Sequence, residues 1–160
     1  MSLSEFRDYI SKQLQKLFEQ EESRPAVMGM HALSESDDKV KDQLEEKLLS
    51  IGGNIVMFGL DTEEERLRMI NDGEIYQGPV SKMAGTPNRC HSNVACYYKT
   101  FQPKGFKIIT GYALHEGMWV QHTWGKLGDK VIETTPLEWE VYYGYELNPR
   151  EAQSFYFDNY

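Results

Sequence analysis

A chain of 160 residues with 40% hydrophobic, 26% charged and 12% aromatic residues carries enough apolar material for one substantial core, and that composition excludes a disordered tract. The 25 acids outnumber the 17 bases, for a formal net charge of -8, which excludes nucleic acid as the principal partner because phosphates are bound by clustered Lys and Arg. Residues 1–20 are interrupted by Glu5, Arg7, Asp8 and Lys12, and no run reaches the length of a membrane span, so the expectation is a cytoplasmic protein with no membrane contact.

Residues 4–22 set Phe6, Tyr9, Ile10, Leu14, Leu17 and Phe18 on one stripe of an amphipathic helix. Residues 23–33, with Pro25 and Gly29, are expected to be a connecting loop. A second helix over 34–50 follows, its apolar face made by Val40, Leu44, Leu48 and Leu49 and its end marked by Gly52 and Gly53. The apolar run 54–60 suits a short buried strand. Thr62 is placed to cap a third helix, Glu65 to close a capping box, and Gly73 to stop it. Residues 1–80 are thus expected to be mainly helical, and they carry no catalytic signature.

Residues 74–89 show little periodicity and contain Gly78, Pro79, Gly85 and Pro87, so they are expected to form a loop leading to Cys90. The loop is expected to line a cleft, with Gln77 or Asn88 as the amide offered to an oxyanion. Cys90 then stands at the start of a short helix running to Phe101. Unpaired N–H groups and the positive end of a helix favour thiolate over thiol. Cys96 is the second cysteine; on one helix the two are turned roughly 240° apart with about 9 Å of rise, too far for a disulfide. His91 follows Cys90 directly, and neighbours on a helix diverge by about 100°, which sets it poorly to take the Cys90 proton.

Three strand-like segments follow, 106–114, 118–124 and 130–135, joined by turns at His115-Glu116-Gly117 and Gly128-Asp129. They predict an antiparallel meander in which His122 shares a face with Val120 and Trp124, and Glu133 shares one with Val131, so that adjacent strands bring His122 and Glu133 together. Asn148-Pro149 predicts a helix over 150–157. The expected fold is a single α+β domain over 1–160, with a helical first half followed by a cysteine-bearing helix packed on an antiparallel sheet.

Residues 85–136 hold, in order, a cysteine opening a helix with Asn93-Val94-Ala95, a Gly105-Phe106 turn into a strand ending Gly111-Tyr112, a His122-Thr123-Trp124 strand, and Glu133-Thr134-Thr135-Pro136. That order resembles the core of the transglutaminase-like superfamily, within the wider class of papain-like thiol enzymes. The resemblance implies a nucleophile at Cys90, a base at His122 and an orienting carboxylate at Glu133, where the family usually has aspartate. It implies acyl transfer or hydrolysis on an amide of a peptide, protein or small molecule, with Trp124 beside the cleft and no cofactor or metal. The spacing of Cys90, His91, Cys96 and His122 has neither Cys-x-x-Cys nor His-x-x-x-His, so a zinc site is not expected. The competing reading is a non-catalytic module, transglutaminase-like or of another α+β fold, that binds a protein through its aromatic tail and the helix over 4–22.

Overall fold

A computed structural model describes residues 30–160, with side chains in the first helix from Asp38 onward. The expected helix over 4–22 lies outside the described residues. Helix α1, Met30–Ile51, buries Val40, Leu44 and Leu48 at four-residue intervals, the spacing that keeps side chains on one face. Leu44 and Leu48 have no exposed surface, and each contributes about 1.5–3 kcal/mol of burial. The helix takes in residues 30–33, which were expected to be loop; nothing after Gly29 in that run breaks a helix.

Strand β1, Ile55–Met57, leads to helix α2, Glu63–Asp72. Thr62 caps α2 by accepting the Glu65 N–H at 3.2 Å, and Gly73 ends it. The stretch 74–89 is not all loop. It contains β2, Glu74–Tyr76, and β3, Val80–Lys82, each three residues long and too short for an alternating pattern to register. Helix α3, Cys90–Phe101, begins at the cysteine, followed by a 3-10 turn, Gln102–Lys104.

The expected meander is present as β4, Lys107–His115, β5, Met118–Leu127, and β6, Lys130–Glu133, paired antiparallel in sequence. A further strand, β7, Val141–Glu146, pairs antiparallel with β4 on its other side. Helix α4, Pro149–Asn159, closes the chain with a full capping box between Asn148 and Glu151. The sheet runs β2-β7-β4-β5-β6-β3, with β1 alongside β5. It is mixed and not purely antiparallel, since β1 runs parallel to β5 and β3 parallel to β6.

The two faces of the sheet differ. One carries Ile108, Tyr112, Leu114, Trp119, Ile132, Tyr143 and Tyr145, and each of the four α-helices among the described residues contributes to its core, through Leu44 and Leu48, Met69, Val94 and Ala152. The other carries a smaller cluster of Ile109, Ala113, Trp124, Val131 and Tyr142, flanked by Tyr76 and Trp139. Helices gathered on one face of a sheet make an α+β architecture. Residues 37–160 form one compact unit, and among the described residues no helix is long and apolar enough to cross a membrane.

One detail of the pairing positions everything that follows. On the side of β5 away from β4, Met118–Val120 pair with β1 and Gly125–Leu127 pair with β6. Between them, Gln121 to Trp124 have no strand partner among the described residues on that side. This break leaves His122 approachable from the edge of the sheet.

Candidate active site

The start of α3 is held at this break. Asn93, buried, accepts the Thr86 N–H at 3.0 Å and donates to Thr86 O at 2.8 Å and to Thr134 O at 3.4 Å. One side chain thus ties the loop before Cys90 to the chain just after Glu133. Gly85 is glycine because there is no room for more: an added Cβ would stand 2.5 Å from both Asn93 Nδ2 and Thr134 O. Asn88 adopts φ 61°, a left-handed conformation that asparagine tolerates better than most residues. Arg89 occupies the N-cap position of α3 without a side-chain cap bond, so no side chain at that position competes for the first-turn N–H groups.

His122 and Glu133 are paired as expected. His122 Nε2 lies 2.9 Å from Glu133 Oε2 and 3.1 Å from Oε1, with His122 3% exposed and Glu133 completely buried. The glutamate also accepts Thr135 N–H at 2.9 Å, Thr135 Oγ1–H at 2.7 Å and Tyr142 O–H at 2.8 Å. The register explains why the longer acid suits this position. The last β5–β6 pairs include Gly125 with Ile132; continued by one residue, Glu133 falls opposite Trp124 and meets His122 on the diagonal. Diagonal neighbours are about 7–8 Å apart, a span that the extra methylene helps to cover.

The electrostatics follow from burial and pairing. Burial alone would push the Cys90 thiol up, but hydrogen bonding to His122 and His91, together with their charge, brings it down to about 5. Burial would lower His122, yet its bonds to Cys90 and Glu133 raise it to about 9. Glu133 is held below the usual carboxylate range because the His122 and Thr135 hydrogen bonds outweigh its burial. Tyr142 is pushed up by burial and by the Glu133 charge, so it stays a neutral donor. Between these limits the stable form is a thiolate beside an imidazolium. With Nε2 engaged by Glu133, the ring nitrogen left for the sulfur is Nδ1.

His91 departs from expectation. Its Nδ1 lies 3.5 Å from Cys90 Sγ, where ideal helix geometry had set it aside. The two residues occupy the first turn of α3, where side chains have no preceding turn to lean against and can fold toward each other. The His91 ring also meets Phe155 of α4, centroids 5.6 Å apart. It lines a cleft of about 650 Å³ whose walls include Leu60, Asp61, Gln121, Tyr145 and Phe155.

Two further residues were not singled out from sequence. Trp139 lies over His122, ring centroids 4.6 Å apart, and Tyr142 donates to Glu133. Both come with the chain around β7, whose position beside β4 no local pattern announces. Trp124 is brought to the histidine, 6.0 Å between centroids and nearly parallel, but it is wholly buried and packs under the ring instead of walling open space. Gln77 is exposed between β2 and β3, Asn88 is exposed in the turn before α3, and neither hydrogen-bonds to the Cys90, His122, Glu133 group. Cys96 is a free, exposed thiol farther along α3. Among the described residues no group of three or more His, Cys, Asp or Glu side chains is arranged to hold a metal ion.

A thiolate at a helix start, a protonated imidazole beside it and a buried carboxylate behind the imidazole form an arrangement suited to nucleophilic attack on a carbonyl carbon. Comparison with protein-family models, curated proteins and solved structures found no match to the chain.

Proposed function

We propose that this chain is a thiol enzyme that transfers or hydrolyses the acyl group of an amide in a peptide, protein or small molecule, on a papain-like core of the transglutaminase-like kind. The observation that carries this reading is the buried His122–Glu133 contact of 2.9 Å behind a cysteine whose thiol is lowered to about 5. Structural cysteines have no use for such an arrangement, whereas a nucleophile needs it.

In the first half-reaction Cys90 Sγ attacks the carbonyl carbon, and the oxyanion forms next to the Cys90 backbone N–H. His122 gives its proton to the leaving amine as the C–N bond breaks, leaving a thioester on Cys90. Glu133 keeps the imidazole in the tautomer this requires. Water or an amine then resolves the thioester and restores the thiolate.

The test uses an activated ester and the second cysteine as an internal reference. After brief exposure to p-nitrophenyl acetate, peptide mass spectrometry is expected to find acetyl on Cys90 far ahead of exposed Cys96, removable by hydroxylamine. Labelling of Cys90 no faster than Cys96 would sink the proposal.

A further inference from the structure

The thiol-enzyme reading leaves one question of geometry open, namely how the group that resolves the thioester reaches a base. His122 acts from Nδ1 beside the sulfur and does not line the cleft from which that group arrives. The ring is 3% exposed, Nε2 is committed to Glu133, and Trp124, Trp139 and Tyr142 stand around its faces. His91 is placed differently. Its Nδ1 stands at the sulfur, its ring is half-buried against Phe155 and lines the cleft, and its Nε2 makes no hydrogen bond to a described residue. The imidazole therefore stands between the Cys90 sulfur and this cleft.

We propose that His91 is a second catalytic residue, a relay that carries the acceptor's proton from the cleft to the Cys90 sulfur as the thioester breaks. The proposal rests on the reading of Cys90 as an acylated nucleophile. In the acyl-enzyme, where the sulfur carries no charge to hold a second proton on the ring, His91 acts in its neutral form, donating from Nδ1 toward the sulfur and presenting the Nε2 lone pair to the cleft. When water or an amine attacks the thioester carbon, its proton passes to Nε2 and the new C–O or C–N bond forms. The C–S bond breaks with its electron pair going to Sγ, and Nδ1 releases its proton to that sulfur. Sγ then passes the proton to His122, which lost its own to the leaving group in the first half-reaction. One proton enters from the acceptor and one resides on His122 at the end, so the thiolate–imidazolium pair is restored; His91, left with its proton on Nε2, returns to the Nδ1–H form by proton exchange with solvent water in the cleft before the next turnover.

The experiment is pre-steady-state hydrolysis of p-nitrophenyl acetate by the full chain, in wild type, His91→Asn and His122→Gln. Asparagine keeps a donor near the Nδ1 position but has nothing at Nε2. In His91→Asn the nitrophenol burst is expected to survive within about threefold, while steady-state turnover falls about 100-fold or more, the range of general acid–base catalysis. Acetyl-Cys90 should then accumulate in intact-mass spectra. In His122→Gln the burst itself is expected to disappear. Should His91→Asn unfold on a thermal melt, His91→Ala, which likewise has nothing at Nε2, serves for the comparison. Turnover unchanged in a folded His91 variant overturns the proposal, and so does a burst lost as fully as in His122→Gln. Absence of any Cys90 burst in wild type would instead sink the thiol-enzyme reading itself, so the two failures are distinguishable.

Discussion

Replacing Glu133 with Gln removes one charge and almost no volume, which makes its consequences calculable. The carboxylate is completely buried and accepts from His122, twice from Thr135 and once from Tyr142. An amide turned so that its oxygen serves the Thr135 donors at Oε1 puts its NH2 where Oε2 accepted from His122 and Tyr142. Two donors then face a donor. The Tyr142 hydroxyl can rotate, but His122 can end the conflict only by giving up the proton on Nε2. The two charge-assisted bonds at Oε2 are each worth about 1.5–3 kcal/mol, so a net loss of about 3 kcal/mol is expected once the neutral ring has recovered one weaker bond. His122, raised to about 9 in the wild type, should titrate at least about one unit lower, since each unit corresponds to about 1.4 kcal/mol. NMR titration of the His122 ring, with urea unfolding at neutral pH, measures both quantities. A His122 titration that does not move in a folded Glu133→Gln protein would refute the reasoning, because it would mean the carboxylate does not hold the imidazolium.

Three further substitutions probe the frame around the pair. Asn93→Ala removes the tie between Thr86 and Thr134 and is expected to cost about 1–3 kcal/mol in urea unfolding, with slower alkylation of Cys90, because buried backbone groups lose a partner. Gly85→Ala forces a Cβ to within 2.5 Å of Asn93 Nδ2 and Thr134 O and should lower stability by about 1–3 kcal/mol as overpacking; a neutral result would show that the loop is looser than its contacts imply. Asp61→Asn probes a cleft wall that makes no hydrogen bond to Cys90, His122 or Glu133. Asp61 accepts Arg66 Nε–H at 2.8 Å and Tyr112 O–H at 2.8 Å in the interior, and breaking such a pair costs about 3–5 kcal/mol. The Cys90 alkylation profile of the folded Asp61→Asn protein should match that of wild type.

Legibility from sequence followed the range of the interactions. Thr62 was readable as a cap and Asn148-Pro149 as a helix start because a helix N-terminus is satisfied within three residues along the chain. His122 and Glu133 were readable as partners because alternation fixes the face of each residue and short turns make consecutive strands neighbours. The pairings that escaped join distant segments. β3 runs parallel to β6, β1 parallel to β5, and β7 returns beside β4, and no short-range pattern specifies any of these. With β7 unseen, Tyr142 and Trp139 could not be assigned to the histidine. His91 was set aside by a rule for helix interiors that does not bind residues in the first turn. Glutamate at position 133, one methylene longer than aspartate, suits the diagonal register to His122.

The central claim is that Cys90 exists as a thiolate paired with His122, and the most direct measurement is the pH dependence of iodoacetamide alkylation at Cys90, with Cys96 as reference, in wild type and His122→Ala. The thiolate is the reactive form, and a lowered thiol pKa means that reactivity appears as pH rises through that value. In wild type the rate is expected to rise with a midpoint near 5 and hold level through neutral pH, and in His122→Ala the midpoint should move up toward the ordinary thiol value of about 8.5. A wild-type midpoint already in that ordinary range, indifferent to His122→Ala, would contradict the ion pair and leave the fold as a module for binding partners.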